Sequence, residues 1–452
     1  MFIPRSMARL RLARVVFLAL ALVPTAVIGG WAAYLRSGWH RNGVRIAWQR
    51  ALGLPVDIGT VEHPRPGVQR LGDCTIADAD GRARLTLPGA ELETTDTELR
   101  LRVPRLRCDG EAAALLAMLA ADWLARGERF DRNCVIEIDD FDWADARAVD
   151  RAAASGGSAG ELRVECVATT EARAVRVVRR PPDRAEASVA VSELRVVRTV
   201  TRDAVEPAEV GPTDGRSVRA GDVRVTVSGT AAEPIPFAVV AGLARDTSLC
   251  KWSLGSSARV AGRIDLAWDE RGWDGVMTGR VEGIDLAACF AAAGLRAAGD
   301  ATVDVRSIRW SAGRLAECEF ACETGPGDIA QAFLEGLVGT LGCRRGGSPR
   351  DAALPALQPF AAAGALVRIN EGGLEVLAAP RFGGALVIAA TDAILWPPPA
   401  PVPVERLAWL LAPPDAPHVP AGGPGAWLMS IMPHGGVDRG ARPAQARRPR
   451  QF

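Results

Sequence analysis

Residues 259–341 carry one pattern written twice, and that repetition restricts the fold more than any other feature of the chain. The first copy runs Val260-Ala261-Gly262-Arg263-Ile264-Asp265-Leu266-Ala267-Trp268 and turns at Glu270-Arg271-Gly272. It returns through Gly275 to Val281 and ends in Asp285-Leu286-Ala287-Ala288-Cys289-Phe290. The second copy runs Val303-Asp304-Val305 and Ile308-Arg309-Trp310, turns at Ser311-Ala312-Gly313, and returns through Cys318, Phe320 and Cys322. It ends in Asp328-Ile329-Ala330-Gln331-Ala332-Phe333. Apolar residues at alternate positions, broken by glycine-bearing turns, specify β-hairpins, and each hairpin closes on a short D-(L/I)-A-x-x-F helix. Because successive strand side chains point to opposite faces, Val260, Gly262, Ile264, Leu266 and Trp268 share one face, with Asp265 and Asp269 on the other. Val303 and Val305 repeat the arrangement in the second copy.

The same period of two dominates residues 56–411. Val56 and Ile58, Leu71 to Ile76, Leu85 and Leu87, and Leu99, Leu101 and Val103 all alternate with polar neighbours, as half-buried strands do. Further strands are expected at 135–138, 162–166, 189–191, 194–196 and 223–227. One clear helix interrupts them at 111–126, where Leu115, Leu116, Leu119, Trp123 and Leu124 form a stripe that stops at Gly127. Residues 152–160, 201–221 and 343–355 read as loops or linkers, and the Pro/Gly-rich stretch 412–452 reads as a disordered tail.

At the N-terminus, Arg5, Arg9, Arg11 and Arg14 form a basic stub (1–14) before an uncharged run at 15–35, long enough for a helix to cross a hydrocarbon core of about 30 Å. Trp31 and Tyr34 stand where an interfacial aromatic belt would lie. An uncleaved signal anchor fits this length; a cleavable signal peptide is the alternative, with Gly30-Trp31-Ala32 as its small-x-small site. The arginines before the run favour an N-terminus inside, although Arg36, Arg41 and Arg45 follow it. Either way the rest of the chain is exported. Residues 36–55 then read as a juxtamembrane segment with a short amphipathic helix carrying Val44, Ala47, Trp48 and Ala51.

Catalytic and ligand motifs are weak. A net charge of +1 gives no reason to expect a nucleic-acid partner. Lys251 is the only lysine, and it sits in no glycine-rich loop. The nine cysteines are scattered singly, without C-x-x-C spacing or a nearby histidine, so buried free thiols are expected rather than a metal site or a full disulfide framework. Gly156-Gly157-Ser158-Ala159-Gly160 matches G-x-S-x-G, but no hydrophobic strand precedes Ser158, and the only histidines after it, His418 and His434, lie in the tail. The acidic cluster Asp139, Asp140, Asp142 and Asp145 lacks the spacing of a calcium loop. Cys318 and Cys322 fall on one strand face, where they pack. In Gly325-Pro326-Gly327-Asp328, a helix-capping Asp328 accounts for the sequence better than a phosphate loop. No cofactor, no metal and no enzymatic activity are expected.

Two stretches near the anchor carry a family resemblance: Leu52-Gly53-Leu54-Pro55-Val56-Asp57-Ile58-Gly59, and Leu71-Gly72-Asp73-Cys74-Thr75-Ile76-Ala77-Asp78-Ala79-Asp80-Gly81. With the paired hairpins at 259–341 and the segment Arg368-Ile369-Asn370-Glu371-Gly372-Gly373-Leu374, the chain resembles AsmA-like proteins, of the wider AsmA, TamB and YhdP group. Residues 162–228 lie outside the resemblance. It implies a protein anchored in the inner membrane whose bulk is periplasmic, built as a long, bent, mostly antiparallel β-sheet with few helices. It further implies that the concave face of that sheet is apolar and carries the acyl chains of a phospholipid or other envelope lipid in cell-envelope biogenesis. The residues expected to face lipid are Val260, Ile264, Leu266, Trp268, Val303 and Val305. The alternatives are an anchored envelope scaffold with a fully packed core and, on the strength of Ser158, an exported hydrolase.

Overall fold

The computed structural model of the chain describes residues 7–78, 80–81, 84–125, 133–143, 160–169, 171–180, 192–201, 222–237, 240, 253–291, 294–346, 356–389, 392–410 and 432. The fold is mainly β, with a few short helices behind one long apolar helix. It divides into a first unit of residues 1–144, 157–168 and 175–187, and a second of residues 145–156, 169–174 and 188–452.

The first unit opens with α1 (Met7–Leu35), which takes in Arg9, Arg11 and Arg14 as well as the apolar run. Within it Arg11–Leu35 has a mean hydropathy of 2.2 over its most apolar window, none of which is buried, so the helix is long and apolar enough to cross a membrane. Pro24 lies inside α1 and brings no N–H to the helix, and the neighbouring Thr25 hydroxyl donates to the Ala21 carbonyl one turn back at 2.7 Å. Helix α2 (Gly38–Leu52) is capped at both ends. The Ser37 hydroxyl accepts the His40 N–H, and Gly53, at φ 71°, donates its N–H to the Gln49 carbonyl.

Strands β1 (Val56–Arg65), β2 (Val68–Ala77), β3 (Arg84–Thr94) and β4 (Glu98–Cys108) pair antiparallel in chain order. Helix α3 (Gly110–Ala125) then carries the chain over to β5 (Asn133–Trp143), which lies parallel to β4; β6 (Glu161–Ala168) returns antiparallel. A parallel pair requires such a crossover. The Asp109 carboxylate starts α3 by accepting the Ala112 N–H at 2.8 Å. The helix buries Ala112, Ala113, Ala114, Leu115 and Trp123, and the core of this unit is dense: Leu71, Cys74, Leu115 and Phe141 have no exposed surface. Val175–Arg180, the larger part of β7 (Ala172–Arg180), completes the unit.

The second unit begins with β8 (Ser192–Thr201), β9 (Asp222–Pro236), β10 (Arg259–Asp269) and β11 (Gly272–Asp285), followed by α4 (Leu286–Ala291) and β12 (Ala297–Ala298). Next come β13 (Asp300–Ser311), β14 (Arg314–Thr324), β15 (Gly327–Ala330), α5 (Gln331–Leu341) and β16 (Arg344–Arg345). The chain ends through β17 (Leu357–Phe360), β18 (Ala362–Asn370), β19 (Gly373–Ala378), β20 (Val387–Ala389), β21 (Asp392–Trp396) and α6 (Glu405–Leu410). Antiparallel pairing runs β8-β9-β10-β11-β13-β14-β18-β19, while β12, β15 and β17 form a separate small sheet. The duplicated pattern is therefore two adjacent hairpins of one sheet. Phe333, Leu334 and Leu341 of α5 and Leu410 of α6 join Ile329, Phe360, Ile369, Leu374 and Leu395 in one hydrophobic core.

The two copies start their helices differently. The Asp285 carboxylate accepts the Ala287 and Ala288 N–H groups at 2.9 and 3.4 Å, as a cap should. Asp328 does not cap α5. It lies in β15, paired with Ala298 of β12 and Pro359 of β17, and the helix begins three residues later, at Gln331, behind Ala330, which offers no side-chain hydrogen bond. Commitment of residues 327–330 to the small sheet overrides the local capping preference.

Candidate functional site

The register of the second unit's sheet assembles a continuous apolar face. Opposite Leu266 stand Val227 of β9 and Gly275 of β11; opposite Trp268 stand Val225 and Trp273; opposite Ile264 stand Gly229 and Met277. Val281, the partner of Val260, faces Val303, and Val305 faces Gly279 on one side and Phe320 on the other. The face continues through Cys318, Phe320 and Cys322 of β14 to Ile369, Val367 and Ala365 of β18, then to Leu374 and Val376 of β19. Thus Val260, Ile264, Leu266, Trp268, Val303 and Val305 all lie on one side of one sheet, where period-two alternation puts them.

The opposite face is charged. Asp265, Arg280, Asp304, Arg309, Glu317, Glu319, Arg368 and Glu375 occupy it, and they pair across strands: Arg306 with Glu319 at 2.8 Å, Arg368 with Glu319 at 3.2 Å and with Glu375 at 3.5 Å. The hydrogen bond from Arg306, reinforced by Arg368, holds the Glu319 carboxyl below its ordinary value. These exposed pairs set the face's polarity more than its stability.

Burial changes along the apolar face. At β14, β18 and β19 it is closed over: Leu315, Cys318, Ile369 and Leu374 are buried in the core that α5 and α6 help to build. At β10 no side chain is buried, and Val260, Ile264 and Leu266 are half-buried. Trp268 and Trp273, a directly opposed pair at the hairpin tip, remain 36% and 38% exposed. Among the described residues, one end of the face is packed under protein and the other is not.

Other candidate chemistry does not assemble. Burial pushes the Cys108 and Cys166 thiols up to about 12, and those of Cys74, Cys134, Cys318, Cys322 and Cys343 up to about 11, which keeps them neutral and poor as nucleophiles or ligands. Among the described residues no cluster of three or more His, Cys, Asp or Glu side chains could hold a metal. Asp140 instead pairs with Arg105 at 2.7 Å. Ser158, Asp145, Lys251, Cys250, His418 and His434 lie outside the described residues, as do linker residues 202–221 and tail residues 412–452 apart from Met432.

A second assembly, which sequence reasoning missed, ties the end of α1 to the first unit. The Trp31 and Tyr34 rings lie 5.6 Å apart, Tyr34 meets His40 edge-on at 5.3 Å, and His40 stacks obliquely on His63 of β1 at 4.9 Å. The two imidazole Nε2 atoms are 2.7 Å apart, a hydrogen bond that needs one ring to donate and the other to accept. Burial, and then the His63 charge, lower the His40 value below 6.5. A histidine with a depressed folded value stabilises the fold above its unfolded value of 6.5, and that stabilisation is lost as pH falls through the depressed one. Ring titration by NMR is therefore expected to place His40 below 6.5, with His63→Ala bringing it back up. If His40 titrates at 6.5 or higher in the unaltered chain, the contact does not form in solution.

No protein-family model matches this chain, and no curated protein or solved structure matches it.

Proposed function

We propose that this is a membrane-anchored, non-enzymatic protein that holds phospholipid acyl chains on the open part of the second unit's apolar sheet face, as part of lipid handling in the cell envelope. The observation that carries this reading is the uneven cover of that face: Ile369 of β18 and Leu374 of β19 are buried, whereas no side chain of β10 is. Acyl chains can cover an apolar strand surface without demanding the shape complementarity of a protein core. Helix α1 supports attachment to a membrane, and the resemblance to AsmA-like proteins favours the inner membrane, with the N-terminus in the cytoplasm and the remainder in the periplasm.

A photo-crosslinking amino acid placed in the full chain tests this in cells with radiolabelled phosphate in their lipids. At Val305 a lipid adduct is expected; at the adjacent Asp304, which faces the other way, none. Equal labelling at both positions, or none at Val305, would remove the lipid reading. A protein-sized adduct at Val305 would instead support an anchored scaffold, which the fully packed end of the same face also allows.

A further inference from the structure

The arginines that follow α1 have a structural setting of their own. Arg41 and Arg45, one helical turn apart on α2, line a cleft of about 510 Å³ between α2 and the start of β1, together with Trp39, Asn42, Asp57 and Gly59. Arg41 Nη1 donates to the Gly59 carbonyl at 2.9 Å, and Arg45 Nη2 donates to the Asn42 side-chain oxygen at 2.7 Å, so both guanidinium groups are held in place. Arg45 Nε is buried and has no hydrogen-bond partner. A buried, unpaired donor on a charged group is costly, and the two guanidinium groups make this wall of the cleft positive. The one acid on the wall, Asp57, accepts the Ile58 N–H at 3.1 Å and leaves the two arginines in excess.

Position identifies the anion. The cleft begins at Gly38, three residues beyond the last residue of α1, which at a helical rise is roughly 5 Å. Trp39 is 86% exposed beside it, and the Trp31–Tyr34–His40 rings fix α2 against the end of α1. With α1 in a membrane, that places the cleft at headgroup depth, where basic residues meet anionic lipid.

We propose that this cleft binds the phosphate of an anionic phospholipid headgroup from the membrane that α1 spans. The inference rests on α1 lying in a membrane, and is independent of lipid on the sheet face. The guanidinium pair takes the phosphate oxygens, and Trp39 sits in the interface alongside.

The test is native mass spectrometry of the full chain released from nanodiscs of phosphatidylcholine doped with phosphatidylglycerol. Among the lipid that stays bound, phosphatidylglycerol is expected to exceed its share of the nanodisc by one molecule per chain, over whatever phospholipid the sheet face holds without regard to headgroup. Arg41→Gln combined with Arg45→Gln is expected to weaken that retention by about tenfold or more. Arg45→Lys, which keeps the charge and removes the planar guanidinium fork, is expected to lose part of it, and serves as the folded comparison. Ile264→Asp on β10 should leave it unchanged. Three results would overturn the proposal: retention unaffected by the arginine changes, retention abolished by Ile264→Asp, or displacement of the lipid by inorganic phosphate, which would make the cleft a site for a soluble anion. Loss of the lipid on Ile264→Asp would place it on the sheet face instead; the other two results leave that face to the crosslinking at Val305.

Discussion

Ile264→Asp combined with Leu266→Asp is expected to abolish uptake of a fluorescent phospholipid by the purified full chain while leaving it folded. Both side chains are half-buried, so each exchange forfeits about 1 kcal/mol of apolar burial. The introduced carboxylates can reach water. A surface that carries acyl chains, by contrast, cannot keep them beside two charges. Leu374→Asp, on the same face at β19, makes the comparison. Leu374 is 1% exposed within the α5-capped core, and an unpaired carboxylate there is expected to cost about 4 kcal/mol or more and unfold the second unit. Circular dichroism melting of the two variants separates the readings. If the double variant unfolds as Leu374→Asp does, the β10 face is a packed core and the scaffold reading stands.

Gly275→Val is expected to destabilise the second unit by about 3 kcal/mol or more, seen as a lower denaturant midpoint. Gly275 lies opposite Leu266 at φ 142°, a conformation that only glycine adopts without strain. A Cβ there would run into the Asp265 carbonyl oxygen and lie 2.8 Å from the Leu266 Cα, and both are ladder backbone that cannot step aside. Gly325→Ala, where an added Cβ meets nothing within 4 Å, is the control, with an expected change of about 0.5 kcal/mol or less. An equal response at the two positions would mean that β10 and β11 do not approach as closely as the register requires.

Much of this architecture is legible in the sequence, because alternation is a local signal. Val260, Ile264 and Leu266 advertise their common face within seven residues, and the glycines and D-L motifs mark where the hairpins end. What escapes is non-local. The strand β7 is hidden because Val177 and Val178 are adjacent, which blurs the period of two. The parallel return of β5 onto β4 depends on pairing across α3, which no window of residues contains. Asp328 has a cap's sequence context, yet pairing with β12 and β17 decides its backbone. At the two sites the same division holds. The apolar residues of β10 and β13 can be picked out one strand at a time, but the closing of the face over β18 and β19 comes from α5 and α6, far along the chain. The α2–β1 cleft requires Arg41 to find a carbonyl eighteen residues away, and in sequence its arginines only weaken the orientation signal of the anchor.

The parallel β4–β5 pair also sets the order in which the first unit assembles. Strands β1 to β4 meet through short turns, so their contacts close small loops and can form early. Arg105 and Asp140 meet across 35 residues, and β5 cannot register against β4 until α3 has formed and lain down. Phe141, fully buried only in that final arrangement, becomes locked last. Closing the crossover carries the largest loop-entropy cost in this unit, and a weakened α3 would raise it, leaving β5 free to pair with β6 before it registers against β4.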